Sequence, residues 1–259
     1  MPPILGLPGH LPLRLPAMPR VEDGLTLAQA MRDEVLAALL APAKELSRDE
    51  PEVAANIGVQ IEHMGLDTWS ISVRRRIRDA VAKLEPKCII ESGAGIGHLT
   101  AWLFDHFSAG NHPDTFQIVE EGNRFAVILT RLCERYSDYP SRIIVGRPST
   151  LVAETRAWNL SGGEIGDAPI GPEADCIIVH APLATLSEEI SALLSMLSPN
   201  GVLFTVEPTP PVGEREDSDP EVVGFNSWME LIRTTNETHH LAFSPLFGGT
   251  IVAWLARQD

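Results

Sequence analysis

Residues 91–97, read Glu-Ser-Gly-Ala-Gly-Ile-Gly, set a carboxylate and three alternating glycines between the β-branched run Cys88-Ile89-Ile90 and an amphipathic segment ending at Phe107. Gly93, Gly95 and Gly97 supply a sharp turn, tolerance of positive φ, and bare backbone that a ligand can touch. A helix starting near His98 would aim its free N–H groups at whatever lies over that loop. Glu120 and Glu121 close a second apolar run, and His180 and Glu207 close two later ones. Side chains at the carboxyl ends of neighbouring parallel strands share one edge of a sheet, so His180 and Glu207 are expected to face a common site. Three arrangements fit that pair: a neutral imidazole acting as general base on a hydroxyl, a softer divalent ion such as zinc, manganese or iron held with a third ligand, or a structural hydrogen bond. The glycines could also belong to a dinucleotide fingerprint, but G-x-G-x-x-G wants glycine or alanine at position 98, where His98 stands.

Alternating periodicities position these residues. They predict strands at 87–92, 115–119, 142–146, 174–179 and 202–206, with helices at 98–108, 124–136, 149–158 and 187–197 between them. Such alternation means a parallel sheet covered by helices on both faces. Pro199-Asn200-Gly201 reads as a turn before the fifth strand, residues 208–221 as a long loop over the ligand edge, and 222–235 as a further helix. The closing HHLAFSPLFGGTIVAWLARQ holds two apolar runs, expected to form an antiparallel hairpin. Three helices are expected ahead of the sheet: 26–42, 51–63, and a third carrying Val73, Ile77, Val81 and Leu84. Arg74, Arg75, Arg76 and Arg78 on the third read as a solvated face.

The 259 residues suit one large α/β domain with an appendage: a Pro-rich arm at 1–22 and a single domain at 23–259, made of helices in 23–86 and a sheet in 87–259. Asp and Glu number 35 against 20 Lys and Arg, and the net charge of −15 repels phosphate backbones, which argues against a nucleic-acid partner. Cys88, Cys133 and Cys176 lack the close spacing of a zinc or redox motif and read as small core residues in a reducing, cytoplasmic compartment. Prolines recur through the apolar arm from Pro2 to Pro19, so it reads neither as a signal peptide nor as a membrane span. It is expected as a leader or as a strap on the domain or on a second subunit, the last arrangement making a homodimer.

With these elements in place, E-x-G-x-G-x-G after the first strand resembles the cofactor loop of class I S-adenosylmethionine-dependent methyltransferases. From about Gly65 onward, the order and spacing resemble the family of catechol and caffeoyl-CoA O-methyltransferases and their bacterial relatives. A helix directly precedes the first strand; residues 197–203, Leu-Ser-Pro-Asn-Gly-Val-Leu, resemble the family's LL-x-P-G-G-v-l turn; and Phe225-Asn226 through Pro245-Leu246-Phe247-Gly248-Gly249-Thr250 resemble its F-N…P-l-x-x-G-l-t stretch. The resemblance implies a doubly wound, mostly parallel seven-stranded α/β sheet of Rossmann-like type, with an antiparallel C-terminal hairpin and N-terminal helices. It implies S-adenosyl-L-methionine as cofactor, lying against Gly93, Ala94, Gly95 and Gly97. Glu91 would hold the methionine amino group, and Glu120, or Glu121 one residue on, the ribose hydroxyls, since two acceptor oxygens match a vicinal diol.

Two departures bear on chemistry. The family's aspartate that receives the adenine amino group falls near Arg147, leaving adenine to backbone, Ser149 or stacking. Metal-dependent members carry an aspartate after strand four and Asp-Asn after strand five; here stand His180-Ala181 and Glu207-Pro208, so the magnesium triad is not intact and no residue is assigned as a metal ligand. Trp69, Trp228 and Phe247 are the expected walls of an acceptor pocket. The expectation is thus methylation of a small-molecule acceptor, on oxygen, with His180 as base and Glu207 beside it. The alternatives are a non-catalytic S-adenosylmethionine-binding or assembly protein, or a methyltransferase acting on protein or RNA.

Overall fold

The computed structural model describes residues 33–110, 112–164, 168–171 and 173–256; the arm at 1–22 and the start of the first expected helix lie outside them. One sheet holds seven strands: β1 Cys88–Ser92, β2 Thr115–Glu120, β3 Ser141–Val145, β4 Ala174–Val179, β5 Leu197–Val206, β6 His239–Leu246 and β7 Gly249–Ala256. Their order is β3-β2-β1-β4-β5-β7-β6. The first five are parallel, and β7 runs antiparallel to both β5 and β6, giving the expected closing hairpin. In the central strands β1 and β4, Cys88-Ile89-Ile90 and Cys176-Ile177-Ile178-Val179 are unbroken apolar runs because helices cover both faces of the sheet there.

On one face, Trp102, Phe104, Phe116, Ile77 and Leu129 join the sheet to the helices Ile71–Leu84, His98–Ser108 and Asn123–Arg135. On the other, Trp228, Trp254, Ile190 and Val152 join it to Pro148–Leu160, Leu183–Leu194 and Pro220–Thr235. Each fully buried phenylalanine such as Phe104 or Phe204 stabilises the fold by about 1.5–3 kcal/mol through lost water contact. The helix Glu52–Met64 packs on the first face and ends at Gly65 in the left-handed region.

Two local expectations need correction. Pro199-Asn200-Gly201 is not a turn before β5 but an excursion within it: Ala174 pairs with Leu197 while Cys176 pairs with Val202, so residues 198–201 are looped out. The arginine run is not a solvated face either. Arg78 donates to the Ser47 carbonyl at 2.8 Å and Arg75 to that of Arg48 at 3.1 Å. Arg76 and Lys83 bind carbonyls at Leu40 and Ala38, at the end of the helical residues 33–39. Carbonyls at a helix end have no intrahelical partner, and these cations supply one. The consequence for the site is that residues 38–50 are fixed against the helix that leads into β1.

Candidate active site

β1 and β4 are neighbours whose chains leave toward opposite faces of the sheet, and a cleft of about 540 Å³ opens at their carboxyl ends. The glycine loop forms its floor, and its three glycines do different work. A Cβ on Gly93, at φ 73°, would fall 1.6 Å from the His180 carbonyl oxygen, so only glycine lets the two strand exits touch. One on Gly97 would fall 2.5 Å from the Leu132 side chain, which makes that glycine a packing requirement. At Gly95, also left-handed at φ 58°, an added Cβ would meet no atom within 4 Å. Its bare backbone faces the open cleft.

Two carboxyls stand over this loop. Glu120, at the end of β2, accepts from the Gly95 N–H at 2.8 Å and, with its other oxygen, from the Gly122 N–H at 3.0 Å. Each oxygen keeps a lone pair for a further donor. Glu121 is exposed and pairs with Arg147 at 3.5 Å. Glu91 is 3 % exposed, and its carboxyl is pushed up to about 8, chiefly by burial; a 2.8 Å hydrogen bond from the Thr100 hydroxyl opposes the rise and the neighbouring Glu120 adds to it. Ala94 lines the cleft, and Ser149 follows the lining Pro148 in the first turn of its helix.

On the opposite wall, the His180 ring packs against the Trp69 ring, centroids 4.8 Å apart and planes 36° apart. Burial lowers the imidazole from its ordinary value, and Asp67, also a lining residue, pulls the other way. Its ring nitrogens have no hydrogen-bond partner among the described residues. Glu207 is half-buried just past β5, where its N–H donates to the Thr250 carbonyl at 2.8 Å, and it does not line the cleft. The structure therefore brings Trp69 to His180 and leaves Glu207 apart. Trp228 is not a pocket wall: it is 1 % exposed and packs edge-on against Trp254 in the second core. Phe247, 91 % exposed at the hairpin tip, contributes its carbonyl to the Ser70 hydroxyl rather than its ring to the cleft. Among the described residues, no group of three or more His, Cys, Asp or Glu converges to hold a metal, and no helix is long and apolar enough to cross a membrane.

Sequence reasoning missed Glu50. One of its oxygens accepts from Arg74 at 2.8 Å, lies 3.2 Å from His98 Nε2, and accepts from the Trp102 indole at 3.4 Å. Burial raises the Glu50 carboxyl, but Arg74 and His98 outweigh it and hold it below the ordinary range. His98 meets the Thr68 hydroxyl through its other nitrogen at 3.1 Å, and Arg74 also donates to the Trp69 carbonyl. The cluster thus ties the helix that follows the glycine loop to the wall bearing Trp69. The available signal was His98 itself, a ring at a position that packs closely beneath Gly58 and must find partners there.

No family model matches the chain, and no curated protein matches it. Solved structures do. The O-methyltransferase TomG from Streptomyces achromogenes, involved in tomaymycin synthesis and in complex with SAM, superposes with a TM-score of 0.60 at 15 % identity, over 88 % of this chain and 96 % of that one. The O-methyltransferase from Bacillus cereus in complex with SAH gives 0.57 at 15 %, over 87 % and 97 %. The SAH-bound Podospora anserina methyltransferase PaMTH1 gives 0.59 at 12 %, over 94 % and 100 %. With its switch point at β1 and β4 and its reversed β7, this chain has the fold of the class I S-adenosylmethionine-dependent methyltransferases.

Proposed function

We propose that this chain transfers a methyl group from S-adenosylmethionine to an oxygen of a small-molecule acceptor, with His180 taking the acceptor's proton. The observation that carries the reading is one cleft in which open backbone at Gly95 and the Glu120 carboxylate face the His180–Trp69 wall. Two structural neighbours named as O-methyltransferases are in complex with SAM or SAH, which supports the choice of cofactor.

The residues present suit that molecule. Space for atoms against Gly95 is available only while no side chain fills it, and the spare lone pairs of Glu120 match the two hydroxyls of a ribose. Glu91 is a buried carboxyl that gains most from a cation, such as the amino group of a methionine moiety. When bound, the cofactor supplies a sulfonium methyl group open to attack. His180, held toward its neutral form by burial and with no hydrogen-bond partner for its ring nitrogens among the described residues, can accept the proton that a hydroxyl sheds as it attacks. Trp69 restricts the ring's orientation, and alignment of nucleophile, methyl carbon and sulfur is where most of the rate arises.

The reading is tested by incubating the protein with methyl-labelled S-adenosylmethionine and a cell extract, then fractionating the label. Label in small molecules, released by ether-cleaving or ester-cleaving chemistry, is expected; label in protein or RNA would refute the small-molecule acceptor. Glu120→Ala should weaken cofactor binding by about 1–3 kcal/mol through loss of charged hydrogen bonds, measured by titration calorimetry. An unchanged dissociation constant would remove Glu120 from the ribose.

Glu91 carries a further expectation in pH. In the folded protein it holds its proton up to about 8, against 4.5 in the unfolded chain, so between these values the folded state binds more protons. Its contribution to stability is therefore neutral below the lower value, grows more unfavourable as pH rises, and is complete above the upper one. Glu91→Gln should stabilise the ligand-free protein against unfolding increasingly from pH about 5 to about 9, by on the order of a few kcal/mol at the top and read as a growing melting-temperature difference from wild type, while weakening cofactor binding. A melting-temperature difference that does not change with pH would contradict a buried, strained carboxyl at this position.

A further inference from the structure

Glu189 is a second buried carboxyl in the cleft, and none of the roles above uses it. It lies within the helix Leu183–Leu194, is 4 % exposed, and lines the cleft together with Glu120, Glu121 and Pro148. Its carboxyl has a hydrogen bond with Thr185 and feels the charges of Glu121 and Arg147. Arg147 gives its ion pair to Glu121 instead. A carboxyl this deeply buried without an ion pair is uncommon, because the Thr185 hydrogen bond and the Arg147 charge offset its lost hydration only in part.

A base attached to a ribose held by Glu120 must lie beside that carboxylate, among these residues. An adenine 6-amino group needs an acceptor there. Arg147 has only donors, Pro148 has no N–H to offer the ring, Glu120 is committed to backbone and ribose, and Glu121 is exposed and paired. Ser149 follows Pro148 but does not itself line the cleft, so among the lining side chains beside Glu120 one buried acceptor is left. Resting on the cofactor reading above, we infer that Glu189 accepts the amino group of the cofactor's adenine, the role for which the sequence offers no aspartate at position 147. The helix after β4 thereby supplies from one side of the cleft what the turn after β3 lacks on the other.

The test measures dissociation constants by calorimetry for S-adenosylhomocysteine and for its analogue with purine in place of adenine, which lacks only the amino group. The wild-type protein should bind the adenine compound roughly ten- to hundredfold more tightly, the usual effect of one hydrogen bond to a buried carboxyl. In Glu189→Leu, which keeps the volume and removes the acceptor, that ratio should fall to near one. Glu189→Gln, which retains an acceptor oxygen, should keep part of it, and melting curves of both variants establish that they are folded. Glu120→Ala should weaken both compounds equally and preserve the ratio. A ratio unchanged in Glu189→Leu overturns the assignment of Glu189 while leaving the cofactor reading intact. A wild-type protein that binds neither compound overturns the cofactor reading, and the inference with it.

Discussion

Replacing His180 with alanine should lower turnover by roughly 10²–10⁴-fold while leaving binding of S-adenosylhomocysteine nearly intact. The two effects separate because the contact that joins this residue to the glycine loop is made by its backbone: the N–H donates to the Ser92 carbonyl at 2.9 Å and the carbonyl rests on Gly93, neither of which the substitution removes. The ring itself touches Trp69. Only the neutral imidazole accepts a proton, so turnover should rise with pH through its ionisation. Burial lowers that ionisation, which puts the acid limb below the ordinary value of about 6.5, with full activity above it. Activity should also resist chelators. An enzyme silenced by a chelator and restored by one divalent ion would make His180 a ligand instead, and equal turnover in variant and wild type would leave it no catalytic part.

Gly95→Asn should abolish the stabilisation that S-adenosylhomocysteine gives the wild-type protein, about 2.7 kcal/mol at a ligand concentration of a hundred times the dissociation constant. Asparagine is the side-chain-bearing residue that best tolerates the left-handed backbone of this position, and its Cβ would meet no protein atom within 4 Å. The free protein should therefore keep its melting temperature, with the loss confined to the ligand's effect. Gly93→Ala makes the contrast: its Cβ collides with the His180 carbonyl at 1.6 Å, and the expected loss is in the fold itself. Ligand stabilisation retained in Gly95→Asn would mean that the space over this glycine does not belong to the cofactor.

The sheet was legible because its strands are short β-branched runs bounded by glycine, proline and acidic residues, and because E-x-G-x-G-x-G fixes which run is β1. Pro199-Asn200-Gly201 misled because a turn tripeptide looks the same before a strand as within one; only the pairing of Ala174 with Leu197 distinguishes them. Trp69 and Trp228 are equally aromatic and both lie near helix starts or within helices, yet one borders the cleft and the other is sealed against Trp254, a difference of tertiary packing that periodicity does not carry. The arginines of the helix Ile71–Leu84 satisfy the helical pattern of an exposed face, and their real partners are the carboxylates of Glu50 and Asp79 and carbonyls some thirty residues away in sequence. Glu50 and Glu189 are missed for a shared reason. A single carboxylate in a loop or on a helix has no pattern of its own, and its meaning comes from the cleft that forms around it.

The central claim, that this cleft is built for S-adenosylmethionine, is tested most directly by titrating the wild-type protein with S-adenosylhomocysteine and, separately, with NAD in a calorimeter. The account predicts one site with a dissociation constant on the order of micromolar for S-adenosylhomocysteine, and no heat of binding for NAD. Binding of NAD without binding of S-adenosylhomocysteine would contradict it.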